Sequence, residues 1–162
     1  MTRWLTDDEQ HTWRALLVMV GLLRDELERQ LQHDAGMPHA YYMILAMLSE
    51  APDRTLRMSE LSEVTRYSLS RLSHAVARLE ESGWVHRTRC ETDGRGSYAV
   101  LTDAGFAALA AAVPGHVETV RRHVFDPLTS VQAAQLHEIC EAMLTTLDRD
   151  GALQRISHEV GR

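Results

Sequence analysis

Cysteine is scarce in this chain of 162 residues and lysine is absent from it. The two cysteines, Cys90 and Cys140, are too few and too far apart to form a disulfide framework, so reduced thiols are expected. All 17 basic residues are arginine, a bias that genome composition explains as readily as chemistry. Long apolar runs are missing as well: charges interrupt each one well short of the roughly 20 residues that a bilayer requires. No signal-type apolar core follows Met1-Thr2-Arg3-Trp4, so the expected location is the cytoplasm, with no membrane partner. The chain also lacks a nucleophile–base pair, a phosphate-binding loop and a complete ligand set for a metal, which argues against an enzyme and leaves no cofactor expected. Neither an internal repeat nor a low-complexity stretch occurs.

What is present fits one domain with a real core, since 44% of the residues are apolar. The net charge of -6 is unevenly spread. Between residues 54 and 100, eight arginines (54, 57, 66, 71, 78, 87, 89 and 95) face six acids (60, 63, 80, 81, 91 and 93), a local balance of +2 that leaves -8 on the rest. An acidic body with a basic middle repels a polyanion everywhere except at that segment.

Periodicity predicts a long helix over 6–32, with Trp13, Leu16, Leu17, Val20, Leu23, Leu27 and Leu31 on one side and Thr6 with Asp7, Asp8 and Glu9 at its start. Gly36 and Pro38 break it. A second, densely apolar helix follows over 39–50 and ends at Ala51-Pro52-Asp53. Two short helices, 59–65 and 68–82, stand in tandem and suggest a helix-turn-helix. In the second, Leu69, Leu72, Val76 and Leu79 share an inward arc, whereas Tyr67, Ser70, Arg71, His74 and Arg78 lie on the other side. Gly83 closes that helix, and strands are predicted over 84–89 and 98–101. Beyond Thr102-Asp103 a long helix is expected, with Phe106, Leu109, Ala110, Val113, Val117, Val120 and Val124 inward and a kink at Pro114. A last helix spans 130–149. The terminal helices are too long and too apolar to cover so small a middle part alone, which implies packing on a second copy.

The two strands flank Cys90-Glu91-Thr92-Asp93-Gly94-Arg95-Gly96, where glycines permit a tight hairpin and Arg95 stands at the tip. That is the shape of a DNA-binding wing. The pattern Asp93, Arg95, Leu101, Thr102, Gly105, together with the run Arg78-Leu79-Glu80 leading to Gly83 and Arg87, resembles the signature of the MarR family of winged-helix transcription regulators. The resemblance extends from about Thr6 to Leu147. One departure is Ser62, where the family usually carries a small apolar alanine.

The resemblance implies a mainly α fold with a small β-hairpin wing: a winged helix-turn-helix over 39–101, flanked by dimerisation helices over 6–36 and 102–150, all within a single domain over 1–162. It implies a homodimer that binds a double-stranded, pseudo-palindromic operator, acting as a repressor released by a small, often aromatic, effector. Ser68, Ser70, Arg71, His74 and Arg78 would face the major groove, Arg95 the minor groove, and Arg87 and Arg89 the phosphates, with Asp93 bracing an arginine. Trp13, Leu17, His39, Tyr42 and Met43 would line an effector cleft, against the simpler reading that they are core.

Other readings compete with a ligand-operated switch. Cys90 beside Arg89 offers a redox switch, although a lone cysteine is more often inert. His116 and His123, seven apart, offer a metal-responsive site, but without a cysteine or carboxylate cluster at ligand spacing. His137-Glu138-Ile139-Cys140-Glu141 is similar to a zinc-protease helix, yet has glutamate where the second histidine belongs. A winged helix that binds protein instead of DNA would be expected to replace the arginines between 71 and 95.

Overall fold

The structure, a computed structural model, describes residues 1–89 and 96–148, and among them six α-helices and three strands. Helix α2, His39–Glu50, is its centre: Tyr42, Ile44, Leu45 and Leu48 are all buried, so it is covered from several sides. Around it pack the short helices α3, Met58–Thr65, and α4, Leu69–Glu81, and the long helix α5, Asp103–Val120. Leu61, Leu72, Val76 and Leu79 complete this core.

Helix α1, Asp7–Ala35, begins in a reciprocal cap. The Glu9 N–H donates to the Thr6 hydroxyl (3.2 Å) and the Thr6 N–H to the Glu9 carboxylate (2.8 Å). It runs three residues past the predicted end because Gly36, at φ 62°, is its true stop: there the N–H groups of Gly36 and Met37 reach back to Gln32 and Leu31 carbonyls. Only Leu31 on α1 is buried. Leu16, Leu23 and Leu27 are half-buried, and Trp13, Leu17 and Val20 are about half exposed.

The sheet holds a strand that the sequence reading missed. After α2 a 3-10 turn, Pro52–Arg54, leads into β1, Thr55–Arg57, which pairs antiparallel with β3, Ser97–Leu101. Strand β2, Val85–Arg89, pairs with the other edge of β3, giving the order β1-β3-β2. Three residues are too few for an alternating pattern to show, and the pairing partner lies more than forty residues away.

The helix-turn-helix is tied locally. The Ser62 hydroxyl donates to the Tyr67 carbonyl (2.6 Å), so the departure from a small apolar residue supplies a bond across the turn. Ser68 caps α4, accepting the Arg71 N–H at 3.3 Å. Leu69 is not part of the inward arc: it is 57% exposed, because the first helical residue projects beyond the edge of the core, and Ala75 takes the inward place instead.

Helix α5 also departs from its predicted face. Leu109 is buried as expected, but Gly105, Ala112 and Thr119 form the rest of the inner side, while Phe106, Ala110, Val113 and Val117 are exposed and Val120 and Val124 half-buried. The small residues are inward because α1 lies close against this helix: a Cβ on Gly115 would meet the Gln30 amide at 2.8 Å. Helix α5 stays continuous through Pro114, and the change of geometry comes at a π-helical turn, Arg121–Phe125. None of the described residues of the last helix, α6 (Ser130–Leu147), is buried. No helix among the described residues is long and apolar enough to cross a membrane.

The strands and α5 meet at one corner. Thr102 accepts the Gly105 N–H (3.0 Å), donates its hydroxyl to the Gly83 carbonyl (2.7 Å) and bonds the Trp84 carbonyl through its own N–H (3.0 Å). A Cβ at Gly105 would lie 2.1 Å from the Trp84 oxygen. Gly105→Ala is therefore expected to lower the unfolding free energy by about 2 kcal/mol or more. Gly36→Ala, which meets nothing within 4 Å but must hold a left-handed φ, is expected to cost only about 1 kcal/mol. Urea denaturation of both variants checks the order.

Candidate nucleic-acid interface

Helix α4 presents one face to the core and the other to solvent, and the division follows from its sequence. With Leu72, Ala75, Val76 and Leu79 buried, the 100° advance per residue leaves Ser70, Arg71, His74 and Arg78 exposed, beside the capping Ser68. The Arg71 guanidinium lies over the Tyr67 ring, 4.4 Å from its centre, which holds the cation on the surface of the turn. Arg78 pairs with Glu81 at 2.8 Å, both well exposed. Arg71, His74, Arg78 and Glu81, with Tyr41 and Ala40 of α2, line a shallow open depression along α4.

Next to this face runs the β2–β3 hairpin. Arg89 is exposed at the end of β2. Arg87 is engaged: its backbone N–H donates to Glu80 Oε1 (2.9 Å), its Nε to Glu80 Oε2 (2.7 Å) and its Nη1 to the Ser73 hydroxyl (3.4 Å). Partial burial would raise the Glu80 pKa, but the hydrogen bonds and charge of Arg87 overcome it and leave the carboxyl below the usual range. The tip residues assigned from sequence, Cys90, Asp93 and Arg95, lie outside the described residues.

Two further arginines of the basic segment serve the fold. Arg54 donates to Asp103 at 2.9 Å and sits 4.2 Å above the Phe106 ring, joining the start of β1 to α5. The Nε of Arg57 donates to the Tyr98 hydroxyl at 3.2 Å. Partners 49 and 41 residues away leave no local signal in the sequence.

The proposed effector residues divide into two groups. His39 and Tyr42 do come together, and His116 of α5, a metal-ligand candidate in the sequence, joins them: it stands 4.2 Å from the Tyr42 ring and 6.0 Å from His39. The His39 N–H donates to Glu28 at 2.9 Å, tying α2 to α1. Met43 is half-buried against the core. Trp13 and Leu17 do not reach this cluster within one chain, since Leu17 precedes Glu28 by roughly 16 Å of helix. His123 turns instead toward Glu26 (3.9 Å), so it does not join His116, and among the described residues no group of three or more His, Cys, Asp or Glu side chains could hold a metal ion. The segment 137–141 lies on the exposed α6.

Burial pushes the pKa of His39 below the 6.5 of an ordinary histidine, with Glu28 opposing and Arg24 assisting; burial and then His39 do the same to His116. The unfolded chain therefore takes up protons first as pH falls. The stability contributed by the two neutral rings is complete above pH 6.5 and is lost as pH drops through their lower folded values. Melting temperature is expected to fall less between about pH 7.5 and about pH 5.5 in His39→Gln/His116→Gln than in the parent. Equal slopes would contradict this.

Comparison with known proteins agrees with this geometry. Residues 35–96 match the family model of the MarR family. Over 91% of this chain and 92% of the other, the structure is similar to that of Sco3205, a MarR family transcriptional regulator from Streptomyces coelicolor solved in complex with DNA, with a TM-score of 0.86 and 51% identity. AbsC, a MarR family transcriptional regulator of the same organism, is 41% identical with a TM-score of 0.84 over 91% of this chain and 99% of that one. The transcriptional regulator PecS of Dickeya dadantii (strain 3937) is 31% identical over 81 residues, which is 50% of this chain and 48% of that protein. The chain spans about half the length of the curated relatives it matches.

Proposed function

Because the chain belongs to the MarR family of transcriptional regulators, we propose that it is a homodimeric, sequence-specific DNA-binding regulator, a repressor that a small ligand releases from a pseudo-palindromic operator. The observation that carries this reading is the exposed face of α4, with Ser68, Ser70, Arg71, His74 and Arg78 set beside the hairpin that leads to Arg95. A helix of this kind fits the major groove, where arginine pairs bidentately with guanine, and an arginine on a hairpin tip fits the minor groove. That the relative at 51% identity was solved with DNA supports the same use of the fold.

Dimerisation is supported by what one chain leaves uncovered. Trp13, Leu17, Val18 and Val20 on α1, Phe106, Val113 and Val117 on α5, and Ile139, Met143 and Leu147 on α6 are all exposed. Monomers rarely leave so many large apolar side chains exposed on three helices, and a second copy would supply the cover. In a dimer of this kind Trp13 and Leu17 of one protomer meet the partner, not the His39–Tyr42–His116 cluster of their own chain. That cluster of ring faces and polar groups, on α2 and α5 with α1 tied to it through Glu28, is the place where a small planar ligand would be sought. A ligand that favours one spacing of the two winged parts shifts the population and changes operator affinity.

The test is binding of the full chain to duplex DNA from its own upstream region over a salt series. Arg71→Ala and Arg95→Ala are each expected to weaken binding about tenfold, and loss of a phosphate contact lowers the slope of log K against log salt by about one. Failure of the parent to bind any duplex at low salt, or a double variant that binds as the parent does, would overturn the reading.

A further inference from the structure

Resting on the DNA-binding reading, we propose that Glu80 is a positioning residue for operator recognition: by clasping Arg87 it fixes the angle between α4 and the β2–β3 hairpin. An acid on the flank of a DNA-reading helix is a liability on charge alone, because it repels phosphate. Its geometry supplies a reason for it. One carboxylate oxygen takes the backbone N–H of Arg87 at 2.9 Å; the other takes Nε at 2.7 Å and lies 2.6 Å from Nη2. The bonds hold strand and side chain together, so the strand itself is located against the helix.

A third attachment extends the clasp along α4. Arg87 Nη1 reaches the hydroxyl of Ser73, seven residues before Glu80 and so on the same helix face two turns earlier. The guanidinium therefore lies lengthwise on the helix. Between the two partners the chain turns at Gly83, φ 71°, where the N–H groups of Gly83 and Trp84 return to the Glu80 and Leu79 carbonyls at 2.9 Å each; these bonds close the helix end, and the clasp adds a tie beyond them, on β2 itself. The neighbouring pair gives the contrast: Arg78–Glu81 joins residues of one helix, with side chains 67% and 64% exposed, against 34% and 29% for Arg87 and Glu80. A carboxylate that holds both the backbone and the side chain of a residue on another element fixes geometry, and an exposed pair within one helix contributes little. Arg87, neutralised by Glu80, also adds less to phosphate attraction than its charge alone suggests.

The two roles separate in experiment. A duplex is selected from a randomised pool by the parent protein, and Kd is measured by fluorescence anisotropy for this duplex and for a scrambled one at one salt concentration. Removing a negative charge by E80Q strengthens binding to both duplexes if Glu80 acts only through charge. The clasp predicts the reverse: E80Q and R87M each weaken binding to the selected duplex about tenfold while the scrambled duplex changes by less than about twofold. The double variant binds no more weakly than either single one, since the same bond is lost. E81Q, which frees Arg78, binds as tightly as the parent or more so. The inference is overturned if E80Q tightens binding as E81Q does, if the effects of E80Q and R87M add, or if E80Q weakens both duplexes equally, which marks general destabilisation. A parent protein that selects no duplex removes the DNA-binding reading itself and is distinguishable from each of these results.

Discussion

The Thr102 corner is the constraint on which the rest of the molecule depends. A single threonine ends β3, caps α5 and holds the carbonyl of Gly83, where α4 has just ended. Gly105 then allows the first turn of α5 to lie directly on the Trp84 carbonyl. The helix that faces solvent with its arginines, the hairpin beside it and the long helix that leads away from both thus converge on a few atoms. Arg54 adds a second tie at the same place through Asp103 and Phe106, from a turn where Asp53 and Arg54 both hold left-handed backbone angles. Helix α5 and the helix-turn-helix are thus joined through a few short, direct contacts.

Charge is arranged in keeping with that joint. Not every arginine of the basic segment is offered to a partner: Arg54 and Arg57 brace the sheet, and Arg87 is held by Glu80. What remains on the outward face of α4 is a short stripe, Arg71 steadied by Tyr67, then His74 and Arg78. In a chain of net charge -6, a short stripe is enough to give docking a direction, because the remainder repels a polyanion.

Much of this was legible in the sequence. The dense apolar run of α2, the hydroxyl cap at Thr6, the amphipathic arc of α4 and the glycines at 36 and 83 are local signals, and each element formed where its signal lay. The failures share a cause. Strand β1 exists only through pairing with β3; the inner face of α5 is small, not large, because α1 approaches closely; and Leu69 is exposed because the core stops short of it. The His116 contact with Tyr42 and the Arg87 clasp likewise join residues that no periodicity connects. Local chemistry is written in the sequence; the distances between elements arise only on packing.

In the arrangement proposed above, two copies of the α4 face meet one duplex at a fixed separation. Hydroxyl-radical footprinting of the protein on a selected duplex tests it most directly. Two protected patches are expected, centred roughly 10 bp, or one helical turn, apart, with two chains bound per duplex. A single patch protected by one chain would contradict it.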